Sequence, residues 1–357
     1  MKYIPQLDGI RFFAIVSVII GHWVVWDTTD PFIKGFPWGR GVILFFVLSG
    51  YLISTILFNL KDKIGSNEIT VQKSILNFYA RRILRIFPIY FLTLIFLKSI
   101  QFQNINEAYV WLLSFTSNIY QAVKGQELGK FVHYWSLAVE EQFYLVWPFI
   151  IFFVSRKYLL RTILLVMLGS VLSRIICCIV FKDNWMIGAY FSLNLAMPLS
   201  LGGLIAYYQI YKPELYSRTF GNKTFFYLSG LIYFLYYYLV RSSGIKFLLP
   251  ITDEYFFAIF SAFFIGNAAI SNFKFLGKVI LENKIVLYLG SISYGLYIYH
   301  MFIGNLYWDY LAIELDLHTS SKYTCWMLYS IILIILASLS FYLIERPINK
   351  LKRFFKY

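Results

Sequence analysis

Residues 40–59 read RGVILFFVLSGYLISTILFN, and from Gly41 to Leu60 no side chain carries a charge. An apolar block of about twenty residues is the length that crosses a hydrocarbon core of about 30 Å, at about 1.5 Å per helical residue. Comparable blocks recur along the chain and predict spans at 9–26, 40–59, 83–100, 134–154, 160–181, 186–208, 224–241, 255–272, 285–307 and 323–345. The expected fold is therefore all-α: a polytopic membrane protein of about ten transmembrane helices. Composition agrees, with 59% of the 357 residues hydrophobic and 14% charged, against roughly 25% charged in soluble proteins. Length alone would also suit two soluble domains, but the blocks overrule that reading. Neither a repeat nor an appended soluble domain is visible, so 1–357 is expected to form one transmembrane domain.

Residues 1–26 have a weakly basic start and an apolar stretch, as a signal peptide would. Arg11, His22, Trp23 and Trp26 interrupt it and no small-residue cleavage site follows, so it is kept as the first helix. The net charge of +14 sits in short clusters between the blocks rather than along one basic face, which argues for membrane topology and against nucleic acid. With the N-terminus in the cytosol, the connections place 21 Lys and Arg inside and 9 outside, with Arg11 and Arg174 inside helices. Both termini are then expected to be cytosolic. In the long 101–133 connection, the run Tyr109 to Leu113 predicts a short interfacial helix. Cys177, Cys178 and Cys325 lie within apolar blocks and form neither a disulfide framework nor a metal spacing, so no metal site is expected.

Ionisable side chains inside a bilayer cost about 2.5–3.5 kcal/mol each and need a partner, a wet cavity or a task. The first span carries Asp8, Arg11 and His22. At about 100° per residue, the eleven-residue spacing returns His22 to within about 20° of Arg11, and about 16 Å further along the axis. A ligand entering from the cytosol would meet a charge first and a base second. The plainer alternative is that Arg11 pairs with Asp8 and reaches the headgroups, while His22 is a hydrogen-bonded structural histidine.

Arg82 and Arg85 share a face at the cytosolic start of the third span, where guanidinium forks could hold phosphates. They could equally set topology or touch anionic lipid. The fourth span opens His133-Tyr134-Trp135-Ser136 and carries Glu140-Glu141, side chains about 100° apart that cannot face one partner. One of them could orient His22, and Glu140 could instead pair with Arg174. His300 is a second intramembrane histidine, and Glu345-Arg346-Pro347 is expected to form a helix stop with a local ion pair.

Taken together, these segments resemble the acyltransferase-3 family of bacterial integral membrane O-acyltransferases. The likeness rests on five segments in the family's order along essentially the whole chain: Leu7-Asp8-Gly9-Ile10-Arg11 with His22, Phe45 to Ile53, Arg82-Ile83-Leu84-Arg85, Trp135 to Tyr144, and Ser293 to Tyr297 before His300. The resemblance implies ten helices in a bacterial cytoplasmic membrane, a cytosolic acyl-CoA donor, and acylation of a hydroxyl, often on a cell-surface sugar. It also implies that Arg11, His22, Arg82 and Arg85 carry function.

Geometry and resemblance converge on one scheme. Arg11, Arg82 and Arg85 would hold the phosphates of acetyl-CoA, whose thin arm would reach His22. His22 would act as base or transient acyl carrier, oriented first by Glu141 and second by His300. The expected partners are acyl-CoA, a glycan or other hydroxyl acceptor, and membrane lipid, with no permanently bound cofactor. A secondary transporter using the same buried charges is the competing class, and a scaffold or sensor the third. The absence of paired Gly/Pro-interrupted spans weighs against the transporter.

Overall fold

The computed structural model of the chain describes residues 3–25, 28–103, 105–243, 249–275, 277–306 and 322–357. Each predicted span is mostly helical over its described residues, and there is no β-strand among them. The main helices are α1 (Pro5–Trp23), α2 (Gly41–Gly65), α3 (Val71–Ser99), α4 (Tyr134–Phe153), α5 (Leu159–Val180) and α6 (Ala196–Tyr211). They continue with α7 (Lys223–Ser242), α8 (Leu249–Ala269), α9 (Lys284–Ser291), α10 (Ser293–Leu306) and α11 (Lys322–Ser340). The expected short helix in the 101–133 connection spans Ile105–Leu113.

Among the described residues, five helical stretches are long and apolar enough to cross a membrane: Trp38–Gly65, Tyr134–Phe153, Arg156–Val180, Leu249–Ala269 and Tyr323–Phe354. The pair α9–α10, bent by 73°, adds a sixth if it counts as one span. Of the other predicted spans, α6 is short and α1, α3 and α7 are more polar. The third helix begins twelve residues before its predicted span. Thr70 caps it by accepting from the Lys73 amide at 3.3 Å, and the added turns bury Ser74, Asn77 and Phe78.

Small residues set the tightest packing, as expected where helices associate without a hydrophobic drive. A Cβ on Gly50 of α2 would lie 1.8 Å from the Leu199 carbonyl oxygen of α6, and one on Gly202 would lie 2.2 Å from that of Val47. Backbone meets backbone at both points, so neither neighbour can rotate away. Gly202→Val is expected to separate the two helices and abolish recovery of monodisperse protein, measured by size-exclusion chromatography in detergent.

Two predicted spans are broken rather than continuous. Within 186–208 the helix Trp185–Tyr190 stops at an extended Phe191, passes through the 3-10 turn Ser192–Leu195 and resumes as α6. The Asn194 side chain holds the break by donating to the carbonyls of Ile187 at 3.0 Å and Gly188 at 3.1 Å. Within 285–307 the break falls at Ile292, next to Gly290, where a Cβ would lie 2.1 Å from the Asp8 carbonyl oxygen. Irregular backbone at membrane depth is tolerated where it is buried in protein or lines a cavity. Tyr190 and Ser293, beside the two breaks, each line one.

Candidate functional site

The two ionisable residues of the α1 stripe line different cavities. Arg11 lines a cavity of about 110 Å³ at one end of the helix, and Val18, Gly21 and His22 line a chamber of about 810 Å³ at the other. Val42 and Tyr297 belong to both walls, so the two cavities adjoin there.

Three guanidiniums converge on the smaller cavity: Arg11 from α1, and Arg82 and Arg85 from α3. Arg11 forms the ion pair with Asp8 that the plainer alternative named, and it also lines the cavity. Among the described residues, neither Arg82 nor Arg85 has a carboxylate within ion-pair distance. The Arg82 Nε is buried without a hydrogen-bond partner, and its guanidinium lies 5.4 Å from the centre of the Tyr144 ring. Glu140 also lines this cavity, but its carboxylate accepts from Ser49 Oγ at 2.9 Å and Tyr144 OH at 3.2 Å. Three guanidiniums face Glu140 alone among the described carboxylates lining this cavity, so its lining carries an excess of positive charge suited to an anion. Arg81, next in sequence, faces elsewhere. It donates to the carbonyls of Lys352 and Phe355 at 3.0 and 3.1 Å and so ties α3 to the C-terminal segment.

At the chamber, His300 of α10 meets His22, with His300 Nε2 and His22 Nδ1 3.0 Å apart. The other His300 nitrogen, Nδ1, lies 2.7 Å from the Tyr297 carbonyl oxygen. A carbonyl only accepts, so Nδ1 carries the hydrogen and Nε2 of the neutral ring is an acceptor. His22 must then donate from Nδ1, which leaves His22 Nε2 as the free lone pair. That is the arrangement of an oriented base. Trp23 Nε1 donates to the His300 carbonyl at 3.0 Å and pins α1 to α10. His133 adds a third ring, 4.8 Å from that of His300. Its carbonyl accepts from Tyr297 OH at 2.6 Å.

Glu141, ranked first as the partner of His22, stands elsewhere. It lies eight residues beyond His133, about 12 Å along α4, and its Oε1 is buried with no hydrogen-bond partner. The ring that meets His22 is that of His300. The alternative Glu140–Arg174 pair does not form. Arg174 forms an ion pair with Glu254 of α8, and Arg40 holds Asp253 at 2.5 Å and Glu254 at 3.2 Å. Glu345 bonds Ser340 at 3.4 Å rather than pairing locally, while Arg346 stacks near Tyr342.

Asp253, Glu254, Arg40 and His133 were not singled out from the sequence. The acidic pair sits just before the predicted span at 255, and only the earlier helix start at Leu249 turns it into membrane-helix residues. Two adjacent carboxylates at the edge of an apolar block were the available signal. Replacing Glu254 by Ala would leave Arg174, with a side chain 3% exposed, without its carboxylate. The expected loss is about 3–5 kcal/mol of stability, read by denaturant unfolding in detergent.

A profile of the acyltransferase-3 family, described as an acyltransferase domain, matches residues 4–345. The chain belongs to that family. It is 26% identical over 376 residues to the O-acetyltransferase OatA of Staphylococcus aureus (strain NCTC 8325 / PS 47), an alignment covering 98% of this chain and 58% of the relative. It is also 26% identical over 397 residues to the putative peptidoglycan O-acetyltransferase YrhL of Bacillus subtilis (strain 168), covering 98% and 55%. The chain thus spans less than two thirds of these curated relatives. No solved structure matches it.

Proposed function

We propose that this acyltransferase-family chain is a membrane O-acetyltransferase that takes acetyl from cytosolic acetyl-CoA and transfers it to a hydroxyl of a cell-surface or lipid-linked glycan. One observation carries the reading. A cavity lined by three arginines and one carboxylate abuts, through Val42 and Tyr297, a chamber in which a paired histidine keeps one nitrogen free.

In this reading Arg82 and Arg85, with Arg11 beside them, hold the donor phosphates through charge-assisted forks. The narrow arm of the donor passes between Val42 and Tyr297 and brings its thioester to the chamber. His22 Nε2 takes the proton of the acceptor hydroxyl as its oxygen attacks the thioester carbonyl. The C–S bond breaks, and the proton passes from the imidazolium to the departing thiolate, giving free CoA thiol and an acetyl ester. The alternative sequence places acetyl first on His22 Nε2 and then on the hydroxyl, and it uses the same free nitrogen. His300 sets the tautomer in either case. The membrane would be crossed by ten spans, counting the broken ones, with both termini on the arginine side. The excess of Lys and Arg in the connections on that side supports this placement. The host compartment is the bacterial cytoplasmic membrane.

Purified protein in liposomes, given labelled acetyl-CoA and a panel of glycans, tests the reading. Acceptor-dependent thiol release with label on the glycan supports it. Failure to bind acetyl-CoA at all would sink it in favour of a transporter.

A further inference from the structure

A third cavity, of about 460 Å³, lies between α1, α2, α7 and α8. Among the described residues its lining holds no charged side chain, and phenylalanines such as Phe13, Phe234, Phe257 and Phe260 dominate it. Two of its polar groups are already satisfied: Ser17 Oγ donates to the Trp38 carbonyl, and Trp38 Nε1 donates to that of Ile33 at 3.0 Å. At one end the cavity is walled by Ser17 and Trp38, and at the other by Leu281, whose carbonyl would lie 2.3 Å from a Cβ on Gly9. Gly9 and Ser17 are eight residues apart on α1, about 12 Å along its axis.

Phe36, Pro37 and Trp38 line this apolar cavity and the His22 chamber alike. An apolar slot for a chain and a polar chamber for a head therefore share one wall, and His22 lines the head side. Neither half alone suits a water-soluble sugar, which would leave the slot without a ligand group.

Resting on the acetyl-transfer reading above, we infer that the acceptor is a lipid-linked glycan. Its hydrocarbon chain lies in the slot between α1, α2, α7 and α8, and its sugar crosses Phe36–Trp38 into the chamber. Lipid tails are as apolar as the slot, so the chain gains contact packing and not transfer out of water. Its larger effect is to hold the sugar at the chamber mouth. That effective-concentration gain is expected to tighten binding by roughly a hundredfold over the same sugar without a chain.

The test is binding to the purified full chain in nanodiscs, read separately from catalysis. The probes are one disaccharide carried through phosphate on a long polyprenyl chain, on a short chain, and free, with plain phospholipid as competitor. Long-chain probe is expected to bind about a hundredfold more tightly than free sugar. Val16→Trp and Ile280→Trp, which fill the slot at two depths, are expected to remove that advantage while acetyl-CoA binding stays at the wild-type level. Equal affinity for all three probes would overturn the inference. So would competition by phospholipid as effective as the long-chain probe, which would make the slot an ordinary lipid site. Chain-dependent binding without acetyl transfer would keep the slot and sink the transfer reading instead.

Discussion

His22→Ala is expected to lower kcat for acetyl transfer by about a thousandfold or more while leaving the KM for acetyl-CoA near its wild-type value. A positioned base contributes roughly 10²–10⁴ in rate, and an acyl carrier is indispensable. The donor phosphates, in contrast, bind about 16 Å away at the other end of α1. The companion variant His300→Ala removes only the acceptor at 3.0 Å that fixes the His22 tautomer. It is expected to retain measurable transfer, reduced by roughly tenfold to a hundredfold, on the scale of one lost hydrogen bond to a group that becomes charged. Steady-state kinetics on both proteins, reconstituted at equal amounts, check the pair. Wild-type transfer by His22→Ala would remove the histidine from the chemistry.

The second large effect belongs to the arginines. Arg82→Ala and Arg85→Ala are each expected to raise the KM for acetyl-CoA by roughly tenfold to a hundredfold, because a hydrogen bond to a charged group contributes about 1.5–3 kcal/mol. Lysine at either position should recover only part of the loss, since it keeps the charge but not the fork. Neither arginine forms a direct ion pair among the described residues, so neither removal breaks one. Arg81→Ala is the control: its bonds run to backbone carbonyls of the C-terminal segment, and its loss should lower stability rather than donor affinity. Isothermal titration with acetyl-CoA separates the two outcomes.

The helical, membrane-spanning character of the chain was legible in block length, because one side-chain property and one rise per residue decide it. The breaks at Phe191 and Ile292 were not. Each depends on what stands opposite it, the Asn194 side chain in one case and the Asp8 backbone in the other. The site divides the same way. Arg11 and His22 share a helix, so their common stripe followed from a 100° step. The partner of His22 lies 278 residues further along the chain, and only tertiary packing chooses between His300 and Glu141. Glu141 stands about 12 Å along α4 from His133, so neither its height nor its direction around the bundle matched His22. The buried Arg40–Asp253 and Arg174–Glu254 contacts were hidden for a different reason, a helix start placed six residues too late.

The central claim is that donor and acceptor enter from opposite ends of α1 and meet at His22. The direct measurement uses sealed proteoliposomes of defined orientation, with labelled acetyl-CoA supplied on one face only and a glycan acceptor confined to the other. Label is predicted to reach the acceptor only when acetyl-CoA faces the Arg82–Arg85 end, and not in the His22→Ala protein. Transfer only when donor and acceptor share one face would contradict the account.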